Sequence, residues 1–281
     1  MGKGNASRYI DTHVHIWSSD LKKYPLGDGF TPDNLKPSEY LPDDILRDAR
    51  PSGVDRIVLV QINFSGFDNS FMLDAIRQHP TSFSGVARVD GTSEAPDVEM
   101  SRLSELGVKG FRLHPEEVTP SKLDETGFVQ MFRCAAEKRL AISLLMNPES
   151  LAAVGRQCQR FPDTPVVIDH MARIGMGGGI RESDVGALCA LAKHAQLRVK
   201  LSGFYALGRA KPPHLDLAPL IKRVYEAFGA KRLMWGSDCP FQLAHETYED
   251  AISVIRDRLD FLSSEDREWI LTGTAEELYF K

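Results

Sequence analysis

Two histidines with one residue between them are the first side chains in this sequence that could do chemistry. Residues 9–16 form a short apolar segment typical of a β-strand, and His13 and His15 stand near its end. Alternate residues of a strand point to the same side, so both imidazoles are expected to face one point. Zinc and similar divalent ions bind such imidazoles and keep a position for water. The pair alone is a weak indication, because surface strands also contain histidine.

A third histidine and an aspartate stand where two later runs of mainly apolar residues stop. Each has an ordinary explanation when taken alone, since His170 could be a core histidine bonded to a carbonyl and Asp238 could cap a helix. Together with the first pair they are better explained as one site at the ends of separate strands. Asp238 and His170 are therefore the predicted catalytic residues. The predicted metal ligands are His13, His15, His170 and Asp238.

Cationic and aromatic side chains near the ends of other segments could bind a substrate. Arg112 and His114 alternate onto one face of the segment 108–114. The planar guanidinium of arginine matches a carboxylate, which favours an anionic small-molecule substrate, although an internal ion pair would also explain Arg112. Aromatic residues in the loops after strands are expected to line the pocket wall. The predicted substrate-binding residues are Arg112, His114, Arg173, Trp17 and Tyr205.

Eight short apolar segments, many of them rich in β-branched residues, recur along the chain and would carry these side chains. Longer segments with apolar residues at helical spacing separate them, which is the signature of βαβ units. This arrangement predicts an α/β fold, a (β/α)8 TIM barrel, in which the active site lies at the carboxyl ends of the strands. The predicted strands are residues 9–16, 56–63, 83–90, 108–114, 140–146, 165–170, 198–203 and 232–238.

Helices are predicted between the strands, and residues 9–281 are expected to form a single barrel domain. Residues 1–8 are expected to be a disordered lead, because this stretch lacks the apolar core of a secretory signal. Two longer loops, residues 18–41 and 203–214, follow strands directly and are expected to be lids, specificity loops or plain surface decoration. The predicted helices are residues 43–50, 69–79, 97–106, 127–137, 149–160, 182–194, 217–228, 246–259 and 265–271.

Composition and charge exclude several classes of protein. The net charge of −5 argues against a broad nucleic-acid-binding face. No apolar run approaches the roughly 20 residues that span a bilayer. The four cysteines form no CxxC pair, which fits reduced thiols in a cytoplasmic protein. We therefore expect a cytoplasmic protein without nucleic-acid or membrane partners, either a monomer or a small homo-oligomer.

Four segments that span nearly the whole chain resemble the amidohydrolase superfamily, in particular a branch of TIM-barrel hydrolases that includes sugar lactonases and pyrone-dicarboxylate lactonases. By this resemblance the four predicted ligands occupy the metal and general-base positions. The branch lacks the carboxylated lysine that bridges two metals elsewhere, so one divalent ion is expected, with zinc the first candidate. Metal-free catalysis is the alternative, because the branch includes lactonases that work without metal. The similar segments are residues 10–17 (IDTHVHIW), 110–112 (GFR), 167–173 (VIDHMAR) and 234–240 (MWGSDCP).

The resemblance implies hydrolysis of a sugar lactone or a carboxylated lactone by an activated water. A divalent ion held by the histidines would acidify the water, and Asp238 would accept its proton and return it to the leaving alkoxide. Without metal, Asp238 would activate the water alone while the histidines polarise the carbonyl. Two alternatives stay open. One is metal-dependent decarboxylation of an aromatic or unsaturated carboxylic acid on the same scaffold, and the other is a barrel that binds ligands without catalysis.

Overall fold

Eight parallel β-strands form one continuous sheet in the computed structural model, which describes residues 9–281. Each strand pairs with the next one along the chain. All eight overlap the predicted strand segments, and the predicted lead at residues 1–8 lies outside the described part of the chain. The strands are β1 (Tyr9–Val14), β2 (Val54–Val60), β3 (Phe83–Ala87), β4 (Val108–Leu113), β5 (Ala141–Leu144), β6 (Val166–Ile168), β7 (Leu197–Leu201) and β8 (Leu233–Trp235).

The sheet curls into a barrel where β1 meets the residues that follow β8. Val14 and Cys239 form a parallel bridge, and the His15 N–H donates to the Cys239 carbonyl at 2.8 Å. The Asp238 N–H donates to the His13 carbonyl, also at 2.8 Å. The predicted single-domain (β/α)8 TIM barrel is therefore confirmed. Its closing contacts run through backbone groups of residues predicted as metal ligands.

Helices alternate with the strands and cover the outside of the barrel. They are α1 (Pro42–Ala49), α2 (Ser70–Gln78), α3 (Pro96–Glu105), α4 (Thr126–Lys138), α5 (Leu151–Arg160), α6 (Glu182–Ala190), α7 (Ala218–Phe228), α8 (Tyr248–Ser253), α9 (Ser264–Glu268) and α10 (Thr274–Tyr279). The helix predicted at residues 246–259 is shorter as an α-helix, because residues 254–258 form a π-helical turn. Helix α10 was not predicted from the sequence.

The carboxyl-terminal helix α10 covers the amino-terminal end of the barrel. Ala275 and Tyr279 pack in one buried apolar cluster with strand residues such as Ile10 and Ala141. Ile10 is the second residue of β1 and Ala141 is the first of β5, so the cluster lies at the end where the strands begin. Helix α10 leaves uncovered the opposite end of the barrel, where the carboxyl ends of the strands meet and a site can form.

Both long loops lie at that carboxyl end and are tied down by backbone hydrogen bonds. Loop 18–41 is enclosed by an antiparallel bridge in which Trp17 and Tyr40 exchange N–H to carbonyl bonds of 2.9 Å. In loop 203–214 the Gly208 N–H donates to the Gly175 carbonyl at 3.0 Å, which ties it to the residues after β6. The loops are therefore part of the scaffold around the barrel mouth.

The helices and the cysteines can be compared with two predictions, the absence of a membrane partner and the presence of reduced thiols. Within residues 9–281, no helix has the length and apolar character that crossing a membrane requires. All four cysteines are free thiols, as the sequence analysis expected. The cytoplasmic location stays a prediction.

Candidate active site

The four residues predicted as metal ligands meet at the carboxyl ends of β1, β6 and β8. The carboxylate of Asp238 is their common neighbour, and its Oδ1 lies 3.2 Å from His15 Nε2 and 3.6 Å from His13 Nε2. The other oxygen, Oδ2, lies 3.7 Å from His170 Nε2. All four residues are buried. The structure therefore brings together three imidazoles and one carboxylate from three separate parts of the sequence.

Left-handed backbone conformations orient two of these side chains. His170 begins a run of four consecutive residues with φ of 51°, 50°, 55° and 57°, which ends at Arg173. Asp238 has a φ of 66°. Left-handed helical geometry costs an L-residue roughly 1–2 kcal/mol, and none of these residues is glycine. Such strain persists only where the surrounding structure enforces it, and it is concentrated at functional sites.

A buried aspartate that the sequence analysis did not select, Asp11, fixes the loops on which the site stands. Its Oδ1 accepts hydrogen bonds from the backbone N–H groups of His13 at 3.0 Å and Ser237 at 2.9 Å. Its Oδ2 accepts the Tyr248 hydroxyl at 2.7 Å. Burial raises the pKa of Asp11, while these hydrogen bonds favour its ionised form. Asp11 therefore connects the end of β1 to the residues that precede Asp238.

Hydrogen bonds at the Nδ1 atoms of the histidines determine what their Nε2 atoms can do. His15 Nδ1 lies 2.8 Å from the Val60 carbonyl, which can only accept, so the Nε2 of neutral His15 has a free lone pair. His170 Nδ1 lies 2.9 Å from Ser202 Oγ. Burial lowers the pKa of His170, and it lowers the pKa of His13 well below the usual range. The imidazoles of His13 and His170 are therefore neutral near pH 7, as metal ligation requires.

Three of the four residues could hold a divalent ion together. One ligand atom from each of His13, His15 and Asp238 lies within 4.8 Å of the others. His13 Nε2 is buried without a hydrogen-bond partner in residues 9–281, which leaves it available to an ion. Two nitrogens and a carboxylate oxygen are donors that zinc accepts. The residues therefore fit one ion, and His170 lies beside this group of three rather than in it.

A buried ion pair that the sequence analysis missed lies next to His13. Lys200 Nζ is 3.2 Å from Asp169 Oδ1 and 3.3 Å from His13 Nδ1, and neither charged side chain has exposed surface. Burial would raise the pKa of Asp169, but Lys200, His13 and Arg112 together hold it well below the usual range. Lys200 is the fourth residue of β7, between two apolar residues. Its neighbours Val199 and Leu201 pack in the apolar cluster shared with the helices, so the alternation of the strand directs Lys200 into the barrel.

A cavity of about 280 Å³ lies at the site, and most of the predicted substrate-binding residues line it. Its wall also includes His15, His170 and Asp238, so a small molecule in the cavity can reach the carboxylate and imidazoles. The predicted substrate-binding residues that line it are Arg112, His114, Arg173 and Tyr205.

Trp17 is not among the residues that line this cavity. Its indole N–H donates to the Pro37 carbonyl at 2.8 Å, and its side chain is buried. Its ring centre is 5.8 Å from that of Phe241, which does line the cavity. The structure therefore places Trp17 behind Phe241 as packing support, instead of in the pocket wall that the sequence analysis predicted.

Arginine supplies the positive charge in the cavity. Arg112 is buried and its Nε lies 3.4 Å from Asp169 Oδ2, so the internal ion pair considered for it exists. Its Nε is buried without a hydrogen-bond partner among the described residues, and the residue still lines the cavity. Burial and the charges of Arg112 and Arg88 lower the pKa of His114 to about 2. His114 is therefore neutral, and the arginines are left to attract an anion.

Gly236 allows His13 to pack against the strand that precedes Asp238. A Cβ at position 236 would lie 2.7 Å from His13 Cβ, so we expect Gly236→Ala to cost about 1–3 kcal/mol of unfolding free energy. Urea denaturation measures this loss. Gly186→Ala is the control, because a Cβ at position 186 meets nothing within 4 Å. This substitution replaces a glycine inside α6, where alanine has the higher helix propensity. Equal stability of the two variants would contradict the packing described.

The similarity of this chain to known proteins covers both the barrel and the site. Residues 10–281 match the family model described as amidohydrolase. The chain is 30% identical to L-fucono-1,5-lactonase of Burkholderia ambifaria, over 82% of this chain and 80% of that protein. It is 27% identical to 4-sulfomuconolactone hydrolase of Hydrogenophaga intermedia, over 96% of this chain and 88% of that protein.

A solved structure also matches nearly the whole of this chain. The crystal structure of a probable 2-pyrone-4,6-dicarboxylic acid hydrolase from Acinetobacter baumannii, with citric acid bound, matches with a TM-score of 0.82 and 27% identity. The match covers 98% of this chain and 100% of that chain. With the family model matched from residue 10 to residue 281, the protein belongs to the amidohydrolase family.

Proposed function

We propose that the protein hydrolyses a lactone, either a sugar lactone or a lactone that carries a carboxylate, by attack of water on the ring carbonyl. One observation carries the proposal: the buried carboxylate of Asp238 contacts three imidazoles beside a cavity of about 280 Å³. The names of the relatives from Burkholderia ambifaria and Hydrogenophaga intermedia support lactones as the substrate class.

Asp238 is the general base of the proposed reaction. The imidazoles of His170, His15 and His13 hold the pKa of Asp238 well below the usual range, against the effect of burial, so its carboxylate is ionised and can accept a proton. The water oxygen bonds to the carbonyl carbon while its proton moves to Asp238. The ring C–O bond then breaks, and Asp238 returns the proton to the leaving alkoxide. Water is the only other reactant, and a hydroxy acid is the product.

The histidines stabilise the negative charge that develops on the carbonyl oxygen. A single divalent ion held by His13, His15 and Asp238, with zinc the first candidate, would supply Lewis-acid charge and acidify the attacking water. His170 lines the cavity beside this group and is placed to orient the substrate carbonyl. Without an ion, Asp238 would activate the water, and an Nε2–H of His170 would polarise the carbonyl.

Arg112 and Arg173 favour a substrate with a carboxylate. Both residues line the cavity, and a planar guanidinium can bind a carboxylate through two parallel hydrogen bonds. The related structure with bound citric acid, a small polycarboxylate, supports the same choice. We infer that the substrate carboxylate lies on the arginines and the lactone carbonyl lies toward Asp238.

Arg112→Met is expected to raise KM for a carboxylated lactone roughly 10- to 100-fold, because it removes a charge-assisted hydrogen bond to the substrate. KM for an uncharged sugar lactone should change much less. Titration of released acid at constant pH measures both. Arg102→Met is the matched control, since Arg102 is exposed on α3 and forms its ion pair with Glu99 of the same helix.

Two results of this substrate panel would contradict the proposed function. One is an absence of acid release from every lactone tested with the wild-type protein. The other is release of carbon dioxide from an aromatic or unsaturated carboxylic acid, which would favour the decarboxylase alternative. Equal KM changes for charged and uncharged lactones in Arg112→Met would leave lactone hydrolysis standing but remove the assignment of Arg112.

A further inference from the structure

The loop between β7 and α7, residues 203–214, is held near both ends by two consecutive residues of the segment that follows β8. At the first end, the ring of Tyr205 stacks on His245 with centroids 5.1 Å apart and an angle of 15° between the planes. At the other end, His214 Nε2 lies 2.5 Å from Glu246 Oε2. One short segment therefore contacts the loop near both of its ends.

The contact between His214 and Glu246 is built as an internal clamp. The side chains are 0% and 1% exposed, so water does not compete for the hydrogen bond. Loss of either side chain would leave the other polar group buried without its partner. His214 also has a left-handed φ of 57°, a conformation that the surrounding structure must enforce in a residue other than glycine. The pair therefore holds the end of the loop in one conformation.

The loop also places the Tyr205 hydroxyl against Asp238, the proposed general base. The Tyr205 O–H donates to Asp238 Oδ2 at 2.8 Å, while Asp238 Oδ1 faces His15 Nε2 at 3.2 Å. A carboxylate with one oxygen held in this way has a fixed orientation. Tyr205 is therefore placed to decide which oxygen of Asp238 is directed toward the imidazoles of β1.

We propose that His214 and Glu246 are positioning residues that hold Tyr205 on Asp238, so that the Oδ1 of the carboxylate stays directed at the attacking water. The proposal rests on the proposed function, in which Asp238 is the general base. Neither residue is proposed to touch the substrate, because neither His214 nor Glu246 is among the residues that line the cavity of the site. Their effect on the reaction must pass through Tyr205 and the loop.

Hydrogen–deuterium exchange tests the clamp without using activity. In Glu246→Ala, the backbone N–H groups of residues 204–214 are expected to exchange at least about 10-fold faster, because the buried hydrogen bond that restrains the loop is lost. The amides of α5 should be unchanged, which shows that the barrel is folded. Unaltered exchange in residues 204–214 would overturn the clamp, whatever the enzyme hydrolyses.

A double-mutant cycle tests the positioning role. Glu246→Ala is expected to lower kcat for a lactone roughly 10- to 100-fold with a smaller change in KM, since a displaced carboxylate reacts poorly. In a Tyr205→Phe background, the same substitution should have almost no further effect on kcat, because the hydrogen bond to Asp238 is already absent. Equal losses in both backgrounds would overturn the proposal that the clamp acts through Tyr205.

Two further variants separate this role from general destabilisation. Glu246→Gln keeps an oxygen that can accept the His214 N–H and should restore most of kcat. Glu226→Ala removes an exposed carboxylate from α7 and should behave like the wild type. If Glu246→Gln loses as much activity as Glu246→Ala, the hydrogen bond is not what positions the loop. A wild-type protein that hydrolyses no lactone would refute the proposed function, while the exchange experiment still decides on the clamp.

Discussion

Asp238→Asn is expected to lower kcat for lactone hydrolysis by at least about 10³-fold, because the amide can neither accept the proton of the attacking water nor serve as an anionic metal ligand. The replacement has the same shape, and its amide oxygen can still accept the Tyr205 hydroxyl. KM should therefore change little. Initial rates at saturating and limiting lactone concentrations separate these two parameters.

A loss of activity through unfolding must be distinguished from this effect. The unfolding temperature of Asp238→Asn should stay within a few degrees of the wild-type value, since the substitution keeps the size of the side chain and introduces no buried charge. Asp260→Asn, at an exposed position, is the control for a change of one carboxylate to an amide. Retention of a tenth or more of the wild-type kcat in a folded Asp238→Asn variant would refute its role as general base.

Lys200→Met is expected to cost about 3–5 kcal/mol of unfolding free energy, the largest stability effect that the structure predicts. The substitution removes the cation 3.2 Å from Asp169 Oδ1 and leaves a fully buried carboxylate with a weaker set of partners. Ser143 donates a hydrogen bond of 2.9 Å to the same oxygen and cannot replace the lost charge. Chemical denaturation, with the midpoint and slope both fitted, measures the cost.

The double variant Asp169→Asn/Lys200→Met tests whether the cost comes from the unpaired charge. Removal of both charges should cost clearly less than the sum of the single substitutions, because no buried ion is left alone. Lys222→Met is the surface control, since its ion pair with Glu226 at 3.9 Å is exposed and should contribute about 0–1 kcal/mol. Additive losses in the double variant would show that Lys200 and Asp169 do not act as a pair.

The sequence predicted the barrel because the fold depends on features that a linear pattern preserves. Runs of apolar β-branched residues mark strands buried on both faces, and their number and spacing distinguish a barrel from an open sheet. The ends of β6 and β8 were placed too late in the chain because both strands stop shortly before left-handed residues, at His170 to Arg173 and at Asp238. The helix α10 was missed because its few apolar residues are interrupted by Glu276 and Glu277.

The site was predictable in its residue types but not in its partners. His13, His15, His170 and Asp238 were found because each stands near a strand end, where a barrel gathers side chains. The partners of Asp169 come from four other strands, which no local pattern can pair. Asp11 and Lys200 were overlooked because they stand before the strand ends, although an ionisable residue at an inward position of an apolar strand needs a partner.

The hydrolysis of a carboxylated lactone in water enriched in ¹⁸O tests the central claim most directly. Attack of water on the ring carbonyl predicts a hydroxy acid with one ¹⁸O atom, located in the new carboxylate, as mass spectrometry of product fragments would show. Recovery of ¹⁸O in the hydroxyl group would mean that water attacks the other side of the ring oxygen. That result, or release of carbon dioxide in place of a hydroxy acid, would contradict the account.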